Sequence, residues 1–173
     1  MPESGSDLAL TIVRVAIGLV LAAHGAQKVF GVFEGPGLEK WRGAVAGMGF
    51  AQPRVMGTLA AFTELFGGLA FAVGLYTPIV AAMLAVDMLV AIKKAHWSKG
   101  FFVQKGGYEY PLVLFIAMCV IGLSPTTSYS VDGALGLFLA NAMWFAVVFV
   151  VGAIVVAAAA MAGRQPEGAG RTV

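Results

Sequence analysis

Cysteine is nearly absent: the 173 residues contain one, Cys119. A single thiol excludes an intrachain disulfide, a dithiol redox pair and most zinc or iron–sulfur sites. Its place inside an apolar run marks it as a buried structural thiol. Charge is scarce too. Only 12% of residues are Asp, Glu, Lys or Arg, about half the share of a soluble domain, whereas 60% are hydrophobic and the mean hydropathy is +0.88. No basic cluster is interleaved with aromatics, so nucleic acid is excluded as a partner. Gly35-Pro36-Gly37 and the helix glycines follow no phosphate-loop pattern. The N-terminus is acidic, with Glu3 and Asp7, and no small-residue cleavage site follows a short apolar core, so no removable signal peptide is expected.

What remains is an integral membrane protein. The length suits an all-α, antiparallel bundle of four transmembrane helices plus a fifth C-terminal one, in a single membrane domain over residues 1–173. Helix 1 is expected over Asp7 to Phe30, with Asp7 as N-cap. In the glycine-rich loop 31–55, Leu38, Trp41, Val45 and Met48 recur at helical spacing, which predicts a short amphipathic helix at the membrane surface. Helix 2 follows over Arg54 to Tyr76. Thr77-Pro78 then starts helix 3 almost at once, and that helix runs to Ala95. Helix 4 covers Tyr108 to Leu123, Ser124-Pro125 opens a turn, and helix 5 covers Ala134 to Ala162 before a disordered tail, 163–173.

Five spans put the termini on opposite sides. One side receives loops 31–55 and 93–108 and the C-terminal tail. It holds every Lys and Arg except Arg14, that is 10 of 11. The positive-inside rule assigns that side to the cytoplasm, with the N-terminus outside, as in a multi-pass protein of the bacterial cytoplasmic membrane.

The stretch Arg14 to Gly31 carries Arg14, His24, Gln27 and Lys28 inside a spanning helix. Ionisable groups are costly in a bilayer and mark a protein interior or a pocket. Arg14 and Lys28 could snorkel to opposite surfaces; His24 is too short to do so. Gly18 and Ala22 form a small-residue pair that admits a neighbouring helix. Counting along each helix places His24, Glu64 and Asp87 at one level, on the order of 10–15 Å inside the boundary. Gln27, Lys28, Glu109 and Tyr110 lie just below. These seven residues are the pocket candidates, with a direct or water-bridged His24–Glu64 pair at the centre. A satisfied network that only joins helices is the plain alternative. Arg14 is expected to pair with Asp132, or failing that with Asp7. A haem between His24 and His96 is disfavoured, because the two lie at different depths, and no metal site is expected.

At these residues the chain resembles the DoxX family of small bacterial membrane proteins. The likeness is carried by Arg14…Gly18…His24-Gly25-Ala26-Gln27-Lys28…Gly31, by Glu64…Gly67-Gly68…Gly74-Leu75-Tyr76-Thr77, by His96-Trp97-Ser98-Lys99-Gly100-Phe101-Phe102, by Gly106-Gly107-Tyr108-Glu109-Tyr110-Pro111 and by Ser130-Val131-Asp132. It spans about residues 8–133. Two features depart from it: the turn 124–129 lacks the family's arginine, and helix 5 lies beyond the usual core. The resemblance implies a four-helix membrane core. It also implies kinship with a membrane subunit of thiosulfate:quinone oxidoreductase, and with membrane partners of soluble thiol-redox and superoxide-detoxifying enzymes.

Three functions follow for weighing: a quinone-linked redox accessory subunit served by a soluble cytoplasmic enzyme, a non-enzymatic scaffold or assembly factor, and a carrier for a small solute or lipid. The first and third need a pocket open to lipid; the second needs a tightly packed core. Helix 5 is expected to be an appendage, packing against lipid or, through Gly152, Ala153 and Ala157, against a second copy.

Overall fold

The computed structural model describes residues 5–137, 139 and 141–163, and among them all regular structure is helical. The tail from 164 onward, with Arg164 and Arg171, and Glu3 near the start lie outside the described residues. Helix α1 is Gly5–Phe30, with Asp7 in its first turn and Lys28 in its last, the charge order that the helix dipole favours. Its buried residues are Arg14, Gly18, Leu21, Ala22 and Gly25, a stripe spaced by three and four. The other faces carry exposed Ile12, Leu19 and Val20, as suits a lipid-facing surface.

Helix α2, Gly37–Ala46, is the short amphipathic helix anticipated in the loop; Trp41 donates its indole N–H to Gly57 O at 2.8 Å. Helix α3 spans Pro53–Val73 and widens into a π-helical turn at Thr63–Gly67. It stops at Gly74, whose φ of +71° is left-handed. Tyr76 is also left-handed, and α4, Thr77–Val90, begins directly with Pro78 in its first turn. A second π segment, Ala91–His96, and a 3-10 turn, Trp97–Lys99, prolong α4. Helix α5 is Glu109–Leu123, a single helical turn follows at Val131–Ala134, and α6 is Asn141–Ala162. The last helix thus starts later than Ala134. Ser130 caps only one turn, and Gly136, with φ +65°, breaks the chain direction before Asn141.

Three helices, α1, α3 and α6, are each long and apolar enough to cross a membrane. Helix α5 is apolar but shorter, and α4 gains length only through its π continuation. The α1–α3 seam is built on small residues. A Cβ added at Gly18 would lie 2.6 Å from Gly68 O, and one at Gly25 only 2.2 Å from Leu65 N. Backbones this close need glycine, as membrane helix pairs often do. Gly67 faces the other way, toward Leu84 and Val80 of α4.

Helix α6 is no appendage. Phe145 is buried in the same cluster as Leu21, Phe71, Leu84, Met88 and Met118, and its ring occupies the space beside Gly122. Gly152 admits Val86 of α4, and Ala159 O accepts the Ala51 N–H at 3.1 Å. Gly152 thus serves contact with its own bundle, where α4 presents bulky Val86.

Candidate functional site

Polar side chains gather at two ends of the bundle. Near the start of α1, Arg14 is only 3% exposed. It donates to Thr127 Oγ1 at 2.8 Å, to Tyr129 O at 2.6 Å and to Ala72 O at 3.3 Å. Asp132, 1% exposed, accepts instead from the N–H groups of Tyr76 and Thr77 and from the Thr77 hydroxyl, at 2.7–2.8 Å. Arg14 and Asp132 interact as opposite charges, as expected, while their hydrogen bonds go to other groups. The carboxylate is held by the free N–H groups at the N-terminus of α4, the stronger claim on it. Asp7 is engaged as well, by the backbone N–H and hydroxyl of Ser128. Since all three residues tie the 124–132 segment to the bundle, this cluster is structural, and Arg14 does not snorkel.

The other end holds a partly open cavity of about 730 Å³, lined by residues of α1, α2, α3, α4, α5 and α6. Its wall is mostly apolar: Val45, Met48, Met56, Met83, Leu114 and a row of valines on α6. His24, Lys28, Glu64, Asp87, His96 and Tyr110 supply the ionisable groups. Lys28 forms an ion pair with Glu64, and its ammonium sits 4.2 Å from the centre of the Trp41 ring. Glu64 is almost fully buried, whereas Lys28 keeps partial exposure. Asp87 neighbours both Glu64 and Lys28. His24 Nε2 lies 3.1 Å from the Tyr110 hydroxyl, which ties α1 to α5. On the far wall, His96 Nδ1 donates to Gly106 O at 2.6 Å, so its Nε2 is the nitrogen left for other contacts.

The direct contacts seen are Lys28–Glu64 and His24–Tyr110, and His24 and Glu64 both line the cavity. Lysine's longer stem, one helical turn after His24, reaches the carboxylate. Two of the seven candidates do not line the cavity. Gln27 donates to Phe33 O and braces the 31–36 turn, where Gly35 presses against it. Glu109 accepts from Val103 N–H in the loop before α5. His96, not among the seven candidates, lines the cavity with Asp87. The two are nine residues apart, which is about 180° out of phase on a uniform α-helix. The π segment between them changes the phase and returns His96 to the same side. Glu64 also sits in a π turn. Trp41 was read only as an interfacial anchor; its contact with Lys28 could not be inferred from the short helix that carries it.

Chemically, the cavity offers an apolar volume with hydrogen-bonding groups converging within it, the usual composition of a small-molecule site. Its formal charge is two carboxyls against one ammonium and two imidazoles. Such a wall favours a neutral head group over an anionic one. Among the described residues no group of three or more His, Cys, Asp or Glu could hold a metal ion. The DoxX family model matches residues 9–97, which contain every ionisable cavity residue except Tyr110. No curated protein and no solved structure matches the chain.

Proposed function

We propose that this chain, a member of the DoxX family, is a membrane-embedded accessory subunit whose cavity takes a neutral, quinone-like ligand from the bilayer. The observation that carries this reading is the cavity itself: about 730 Å³ of mostly apolar space with six ionisable side chains on its wall. A tightly packed scaffold would have no such space. The residues fit a quinone head group. His24 and Tyr110 offer hydrogen bonds to a carbonyl oxygen, and the valine row of α6 suits an isoprenoid tail. Glu64 and Asp87 face one ammonium and add two carboxyl groups able to exchange a proton with a bound head group. A quinone supplies two-electron chemistry when bound. With one cysteine in the chain, the electrons come from or go to a soluble redox partner, and the basic loops 31–55 and 93–108 are its docking face. In this reading all five long helices cross the cytoplasmic membrane, with the N-terminus outside and the C-terminus in the cytoplasm.

The test is mass spectrometry of small molecules retained by the full chain in native lipid nanodiscs. The expected result is an isoprenoid quinone at near one per chain, reduced several-fold by Tyr110→Phe and His24→Ala. Retention of no small molecule, or of quinone unchanged in both variants, overturns the reading.

A further inference from the structure

A second, smaller hollow lies on the outer flank of α4 and α6. It measures about 320 Å³ and runs beside Val90, Ala153, Ala157 and Met161 to Lys93 and Lys94. Its origin is geometric. The two helices touch where Gly152 admits Val86. Beyond that contact α6 presents alanines at 153, 157 and 160, too small to fill the space beside α4. The walls carry no polar side chain other than the two lysines at the end.

Those lysines lie at the end of α4 beside aromatics that mark a membrane surface. Trp97, exposed and stacked on Tyr108 with ring centres 5.2 Å apart, comes three residues after Lys94, and exposed tryptophans of this kind favour head-group level. Lys93 Nζ lies 4.9 Å from the Trp97 ring and is otherwise open. Lys94 donates one of its three N–H bonds to Met48 O at 3.0 Å and lies 5.1 Å from Phe50, so two donors remain. Neither ammonium has a carboxylate partner among the described residues. This is the reverse of the main cavity, where the only ammonium faces two carboxyls.

We propose that this wedge is a binding site for one anionic phospholipid of the adjacent leaflet, its phosphate on Lys93 and Lys94 and one acyl chain in the groove between α4 and α6. Charge complementarity selects the head group, and the alanine-lined groove selects a lipid over free phosphate. The chain occupying the groove completes the contact that the small residues of α6 leave open, so the lipid also helps to hold α6 against the bundle. The proposal does not depend on what the main cavity binds.

Native mass spectrometry of the full chain tests it, with dioleoyl phosphatidylglycerol and dioleoyl phosphatidylcholine supplied in equal amounts. The expected preference for the anionic lipid is about 30-fold, the equivalent of about 1 kcal/mol for each of two surface lysines. Lys93→Gln with Lys94→Gln removes the preference; Lys93 is exposed and Lys94 half-buried, and far-UV circular dichroism of the double variant checks that the fold is kept. Ala157→Phe keeps the charge but fills the groove, and it lowers retention of the bound lipid at least tenfold. Equal retention of the two lipids by the unaltered chain overturns the proposal. So does a preference that survives Ala157→Phe, which would trace it to general surface charge.

Discussion

Removing Glu64 alone should cost little, and removing Glu64 and Asp87 together should cost much. The reasoning is a charge count. Lys28 is paired with Glu64 and has Asp87 as a second neighbour. In Glu64→Gln the ammonium keeps Asp87, and in Asp87→Asn it keeps Glu64. Each single change exchanges one hydrogen-bonded carboxyl for an amide of the same shape, a loss of about 0.5–1.5 kcal/mol. The double variant leaves Lys28 with only the Trp41 face and some solvent. A buried charge stripped of its partner costs about 3–5 kcal/mol. The coupling between the two sites is therefore about 2 kcal/mol, within the range for residues sharing a network. Titration with sodium dodecyl sulfate in mixed micelles, followed by far-UV circular dichroism, gives the four stabilities of the cycle. Additive losses would refute the shared-counterion argument. A Glu64→Gln loss equal to that of the double variant would show that Asp87 never compensates. A further change, Lys28→Met in the double variant, should recover most of the loss, because the stranded charge is then gone.

Gly25→Val should prevent α1 from seating on α3, since even a Cβ there falls 2.2 Å from Leu65 N; Gly43→Ala, with open space around it, should leave the detergent-unfolding midpoint unchanged. Phe145→Ala should cost about 2 kcal/mol: lipid is as apolar as the core, so the transfer part largely vanishes and a void of roughly 100 Å³ at about 24 cal/mol per Å³ remains. Truncation after Gly133 should lower the thermal midpoint and release the cavity ligand, because α6 supplies both Phe145 and the valine wall. A reporter fused after Val173 should be active only if its enzyme works in the cytoplasm; activity of a periplasm-dependent reporter there would invert the proposed topology.

How far these sites could be read from the sequence depended on helical regularity. Helix ends were legible within a few residues where proline, glycine or a cap marked them, as at Thr77-Pro78 and Gly74. The small-residue seam was legible because Gly18, Ala22 and Gly25 recur at helical spacing, and a side chain there would strike backbone. Depth was legible too: a rise of 1.5 Å per residue carries His24, Glu64 and Asp87 to one level, and all three line the cavity. Phase and reach were not. Two π segments, Thr63–Gly67 and Ala91–His96, rotate the residues after them, and no composition rule marks where such a turn falls. Side-chain reach decided the partners. The imidazole expected beside Glu64 bonds Tyr110 of α5, and Lys28, another of the pocket candidates, takes the carboxylate. Helix α6 was misjudged for a different reason. It has no charge and little polar chemistry, so nothing in its pattern distinguishes a face toward protein from a face toward lipid. Only the complementary partners, Gly122 for Phe145 and Val86 for Gly152, separate the two, and these lie on other helices. In a membrane protein the apolar surface of a helix is therefore silent about its neighbours. The polar and the smallest residues carry the readable information, and their partners must be found on the helices that face them.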